Sequence, residues 1–164
     1  MFFPCLEVLK KERVPEPTVN IFDWWLGTRR QNTLSSLNPL QFALDCGIRA
    51  EEALKIFSYS VFDQRISLLR RRFIVYCPAC NHKVKSLFDP PQENCTCPNC
   101  CAKIPVGILD DCTEVKFELL KAPQDSDNSF LPPRGIESGK APSLRISSSR
   151  EFEESEIRRL FDMM

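Results

Sequence analysis

Two short stretches of this chain repeat each other. CPACNHKV at 77–84 and CPNCCAKI at 97–104 share the phrase Cys-Pro-x-Cys-x-x-Lys followed by Val or Ile, with sixteen residues between the two cysteine pairs. Two cysteines two residues apart form a tight turn whose sulfurs reach one metal ion, and two such turns supply the four thiolates of a tetrahedral centre. The middle of the chain is therefore constrained to two hairpins that bring their tips together. Cys95 and Cys101 lie close enough in sequence to compete for the ion. Only Cys77, Cys80, Cys97 and Cys100 carry the full phrase with its proline and lysine, so these four are the expected ligands. Four thiolates on a divalent ion leave about two negative charges over, which the lysine after each turn partly offsets.

The expected ion is zinc in a structural role. A catalytic zinc keeps one position open for water or substrate, whereas four cysteines close the shell. Iron is the main rival, since it accepts the same four thiolates. His82, the single histidine, sits inside the first turn and reads as a solvated turn residue rather than a base. The chain has no Gly-rich phosphate loop and no nucleophile-elbow serine. CPAC and CPNC also have the spacing of redox dithiols, but no thioredoxin-like βαβ pattern surrounds them. No catalytic residue is assigned and the chain is read as non-enzymatic.

Nine cysteines suit this reading in a reducing compartment, where thiols serve as ligands or stay spare. The opening MFFPCLEVLKKER has no basic region ahead of an apolar core, so a secretory signal is not expected. No apolar run approaches the roughly 18–20 residues that span a bilayer. A cytoplasmic protein without membrane contact is the expectation. At 43% hydrophobic and 27% charged residues, the composition is that of a globular chain.

Five segments follow from the texture. Residues 1–19 read as an N-terminal helix or arm, with CLEVLKKERV helical and VPEPTV breaking it. Residues 20–76 read as a winged-helix-like domain. In it, Asn38-Pro39 starts one helix, Gly47 ends it, and a second helix runs from near Arg49 through AEEALKIFSYSVF. Ala53, Leu54, Phe57 and Val61 form that helix's apolar face, and ISLLRRRFIVYC reads as one or two strands. Residues 77–121 read as a zinc ribbon closed by the alternating strand TEVKFELL, with Val115, Phe117 and Leu119 on its apolar face. Residues 122–148, rich in Ser, Pro, Gly and Asp, read as a disordered linker. Residues 149–164 read as an amphipathic helix capped by Ser149, with Phe152, Ile157, Leu160 and Phe161 offered to a partner. The fold class is α+β.

Net charge is zero, but residues 65–85 concentrate Arg65, Arg70, Arg71, Arg72, Lys83 and Lys85 with no acidic residue between them. That stripe is the candidate nucleic-acid surface. The second helix of the winged-helix-like domain carries Glu51 and Glu52 at its start, a poor match to phosphate.

The order NPLQFALDCGIRAEEALKIF, a strand ending in CPAC, a second cysteine pair and the VKFEL strand resembles the zinc-ribbon regulatory domain that precedes some bacterial nucleotide cyclases. The likeness covers about residues 20–120. It implies a winged helix carrying a zinc ribbon, ligated by Cys77, Cys80, Cys97 and Cys100. No cyclase domain follows in this chain, which implies a free-standing sensor or adaptor. The expected function is partner binding, through the terminal helix or the winged-helix face. DNA or RNA binding through the basic strand and ribbon is the alternative.

Overall fold

Prolines stand at the starts of several helices. The computed structural model describes residues 1–12, 14–124 and 139–148. In it, α1 (Glu7–Glu12) ends before the VPEPTV stretch, and α2 (Glu16–Gly27) begins within it, with Pro15 as N-cap and a proline in the first turn. A missing N–H costs nothing there, because the first N–H groups of a helix have no partner inside it. The prolines thus end one helix and start the next. α3 (Pro39–Cys46) repeats the device: Asn38 caps it by accepting the Leu40 N–H at 3.0 Å, with Pro39 at the first position. Gly47 adopts φ 63° and closes α3 by donating its N–H to the Ala43 carbonyl. α4 (Ala50–Phe62) follows. Its buried face is Ala53, Ile56, Phe57 and Ser60. Leu54 and Val61, expected on that face, are half-buried; the packing selects the i, i+3, i+4, i+7 stripe that contains Ile56.

The fold is α+β. β1 (Leu69–Tyr76) is a single strand and pairs antiparallel with β2 (Lys83–Leu87), with a bulge between Val75 and Tyr76. A second, two-stranded ribbon joins β3 (Cys95–Thr96) to β4 (Lys103–Ile104). α5 (Val106–Cys112) and then β5 (Thr113–Leu119) follow, and β5 completes a sheet of order β2-β1-β5. α5 was not expected from the sequence. It is one short helix, and Leu109 is its buried residue. Asn94 receives its first N–H, that of Val106, at 2.8 Å.

Two units emerge. The first combines residues 1–70 with 117–142. Its core is aromatic: Phe57 lies 5.1 Å from Phe22, 6.0 Å from Phe42, 6.2 Å from Trp25 and 5.0 Å from Phe117, ring centre to ring centre. The rings meet tilted or edge-on, the arrangement that their quadrupoles favour. Residues 1–19 belong to this core rather than to a separate arm. Phe3, Leu6, Leu9 and Val14 are buried, and the buried Asp23 accepts the Phe2 and Phe3 N–H groups at 2.9 and 2.7 Å. The boundary expected after residue 19 falls inside α2.

The second unit contains residues 71–116 and resumes at 143. Val75, Cys77, Cys95, Cys97, Ile104 and Leu109 form its core.

Residues 139–148 are not the unpacked linker that their composition implied. Ala141, Leu144 and Ile146 are buried. Leu144 accepts the Val115 N–H at 2.7 Å, and Arg145 bridges Glu114 antiparallel. Three apolar side chains and available backbone partners outweigh a Ser/Pro-rich composition. The terminal helix expected at 149–164, with Phe152, Ile157, Leu160 and Phe161, lies outside the described residues, as does most of the linker.

Candidate metal centre

Each copy of the repeated phrase builds the same backbone turn. In the first, the Cys77 N–H donates to the His82 carbonyl at 2.9 Å, and the Asn81 N–H returns to the Cys77 carbonyl at 2.8 Å. In the second, the Cys97 N–H donates to Ala102 at 2.9 Å and the Cys101 N–H to Cys97 at 3.0 Å. The two turns also share a left-handed residue at the same step, Asn81 with φ 57° and Cys101 with φ 59°. The first turn joins β1 to β2, and the second joins β3 to β4. Two hairpin tips of one design therefore face each other.

Their sulfurs converge. The Sγ atoms of Cys77, Cys80, Cys97 and Cys100 all lie within 4.8 Å of one another. The closest approaches run between the turns: Cys77 to Cys100 at 3.5 Å and Cys80 to Cys97 at 3.6 Å. Four sulfurs around an ion at about 2.3 Å stand about 3.8 Å apart in a tetrahedron, so the spacing fits one metal ion at their centre. A disulfide needs about 2.05 Å, and all nine cysteines are free thiols. The first cysteine of each pair is buried and the second exposed.

Hydrogen bonds pull two thiols of this cluster in opposite directions. Asn99 and then the His82 backbone N–H stabilise the Cys80 thiolate and pull its pKa down to about 6. The Ala102 backbone N–H does the same for Cys100. There, hydrogen bonds shared with the Cys77 and Cys80 sulfurs prevail, and the pKa rises to about 12. The Cys100 thiol therefore favours its protonated form.

The other cysteines are not among the four converging sulfurs. Cys95 is buried beside it in the core, its thiol pointing to the Glu93 carbonyl at 3.4 Å. Cys101 is exposed. Burial pushes the Cys5, Cys46 and Cys112 thiols up, Cys46 to about 12. The sequence placed Cys46 in the core, and it is buried in α3. His82 is exposed in its turn.

The basic stripe is divided. Arg71 lies over the Phe73 ring at 5.5 Å, on the face of β1 opposite to that of Arg70 and Arg72. Arg70 pairs with Glu118 at 2.8 Å, Arg65 with Asp63 at 2.8 Å, and the Arg72 Nε donates to the Ser86 hydroxyl at 2.7 Å. Lys85 stands opposite Val75 and Lys83 opposite Tyr76 across the hairpin, with Lys83 exposed. At the start of α4, the N-cap residue Arg49 pairs with Glu52 at 2.8 Å.

Set against known protein families, curated proteins and solved structures, the chain matches none of them.

Proposed function

We propose that this chain is a non-enzymatic zinc-binding adaptor or regulatory protein. It is read as a winged-helix-like domain joined to a four-cysteine zinc ribbon, and it acts by binding another protein. The observation that carries the reading is the convergence of Cys77, Cys80, Cys97 and Cys100 at the tips of two like hairpins. A closed set of four thiolates is the donor set of structural zinc. The ion would hold together a region whose second hairpin has only two residues per strand, and its binding energy would become folding energy. The α3–Gly47–α4 unit followed by strands supports the winged-helix part.

Partner binding through the terminal helix is favoured over nucleic acid because carboxylates already meet Arg65 and Arg70, and the arginine run is split between two strand faces. The test is a pull-down of the full chain from its native cells, split with and without nuclease, beside a chain ending at Ser148. A stoichiometric protein partner that survives nuclease and fades with the shorter chain is the expected result. Nucleic acid recovered equally by both chains would overturn the reading.

A further inference from the structure

The two outer strands of the β2-β1-β5 sheet end differently. β5 is covered along its outer edge: Phe117 bridges Leu37, the Leu119 N–H donates to Leu34 at 2.9 Å, and Glu114 bridges Arg145. β2 is open. Among the described residues, the main-chain hydrogen bonds of Lys83–Leu87 go to β1 and to nothing else. An edge strand turns alternate N–H and C=O groups away from its neighbour. The outer side of β2 therefore presents unused donors and acceptors in a row. That row matches another extended chain. A nucleic-acid phosphate accepts hydrogen bonds and donates none, so it would leave the carbonyls unused.

Charge narrows what can pair there. Lys83 is exposed, Lys85 is half-buried, and neither is in an ion pair among the described residues. Cross-strand partners share a face. Lys85 thus lies on the face of Val75 and Leu87, and Lys83, past the bulge, on the face of Tyr76. Arg72 reaches the edge on that second face, its Nε donating to the Ser86 hydroxyl at 2.7 Å. Both faces of the edge carry positive charge over the half next to the metal turn. The other half is apolar, with Leu87 half-buried and Phe88 at 53% exposure, and ends at the exposed Asp89. Edge lysines repel a like edge. A second copy paired antiparallel over all of Lys83–Leu87 would set Lys85 against Lys85. An acidic strand meets no such barrier.

We propose that β2 is a docking edge for an extended, acidic segment of a partner protein, which joins the sheet antiparallel as a fourth strand. Its pattern follows from the register: an apolar residue opposite Leu87, beside Phe88, and two residues later an Asp or Glu opposite Lys85. Backbone bonds supply affinity, and charge selects the partner. The docking edge rests on the partner-binding reading for its class of ligand and needs none of residues 149–164. Loss of capture on shortening the chain to Ser148 and failure of a peptide to bind β2 are therefore separate results.

The test uses the full-length, metal-loaded chain and a blocked fluorescent peptide of about eight residues. The peptide alternates Val and Thr, with Phe-Thr-Glu at its centre. Saturable binding with a dissociation constant below about 1 mM is expected. Slower hydrogen exchange within residues 84–87 should mark the site. Exchanging the peptide's Glu for Lys should weaken binding about tenfold, and Lys85→Glu should reverse the preference. Two further peptides carry N-methyl groups on alternate amides, one set on each edge. Only one edge of an added strand faces β2, so one pattern should abolish binding and the other should not. These peptide comparisons do not depend on a variant folding. Absence of saturable binding below about 1 mM overturns the proposal. So do equal binding of the Glu and Lys peptides, equal effects of the two methylation patterns, or protection that falls outside residues 83–88. A dimer that the peptide does not dissociate would make the occupant a second copy, and an oligonucleotide that it does not displace from β2 would make it nucleic acid. Either result also overturns the proposal.

Discussion

Asn81 and Cys101 occupy the same left-handed step of the two turns, with φ of 57° and 59°. Asparagine tolerates that backbone, whereas a cysteine there carries a strain on the order of 1 kcal/mol. Cys101 is exposed and outside the sulfur cluster. Cys101→Asn should therefore raise stability by about 0.5–1 kcal/mol, read as an upward shift of the melting temperature with metal content unchanged. A drop in metal content would mean that Cys101 shares in ligation. The cluster's acid–base behaviour gives a second expectation at this scale. Hydrogen bonds from Asn99 and the His82 N–H favour the Cys80 thiolate, while the sulfur contacts of Cys77 and Cys80 favour the protonated Cys100 thiol, so ligation by all four sulfurs displaces at least one proton from the cluster. Protons compete with the ion, and apparent affinity should rise with pH, about tenfold per unit for each proton displaced. Chelator competition at pH 6.5, 7.5 and 8.5 measures this. A flat profile would show that the thiols are not the ligands.

Among the elements, α3 shows most plainly what a local signal can fix. Asn38-Pro39 before it and Gly47 after it set both ends, and both lie where the sequence placed them. The Asn38 side chain has two jobs, one on each side-chain atom. Asn38→Ala should cost about 1–2 kcal/mol from the lost cap and the lost bond together. Asn38→Asp keeps the cap and should cost less, and denaturant unfolding of the pair separates the two jobs. A cost for Asn38→Asp equal to that of Asn38→Ala would mean the cap contributes nothing. The duplicated cysteine phrase was legible for a similar reason. It is a local rule written twice, and each copy folds by hydrogen bonds within six residues. Other features depended on distant partners and left no local trace. The face of α4 is set by Phe22, Phe42 and Phe117 meeting Phe57, which moved Ile56 inward and left Val61 half-buried. VPEPTV reads as a break because proline ends helices, but proline also starts them, as at the N-cap and first turn of α2. α5 is a seven-residue helix whose single buried anchor, Leu109, gives no periodicity to read.

Across the whole chain, the segment at 139–148 corrects a division drawn from composition. Ser, Pro and Gly describe its loops, but Ala141, Leu144 and Ile146 decide its state because each is buried. A chain ending at Gln124 should be less stable than one ending at Ser148. Full burial of a Leu and an Ile contributes about 1.5–3 kcal/mol each, offset by the cost of ordering the segment, for a net loss of about 2–4 kcal/mol. Thermal unfolding of the two chains checks this, and equal melting temperatures would show that the segment packs without stabilising. The N-terminal residues belong to the same lesson. Gly27 lies where an added Cβ would meet the Phe2 ring at 2.2 Å, a close approach that makes the first residues part of the aromatic unit.

The metal centre supports everything proposed for the second unit, and one experiment addresses it directly. Metal content should be measured on the purified full-length chain beside Cys97→Ser and Cys95→Ser. One zinc per chain, lost in Cys97→Ser together with the folded signature of the second unit and retained in Cys95→Ser, is the predicted result. Metal retained in Cys97→Ser or lost in Cys95→Ser would contradict the assignment of Cys77, Cys80, Cys97 and Cys100. Iron in place of zinc would keep those ligands and overturn the structural-zinc reading.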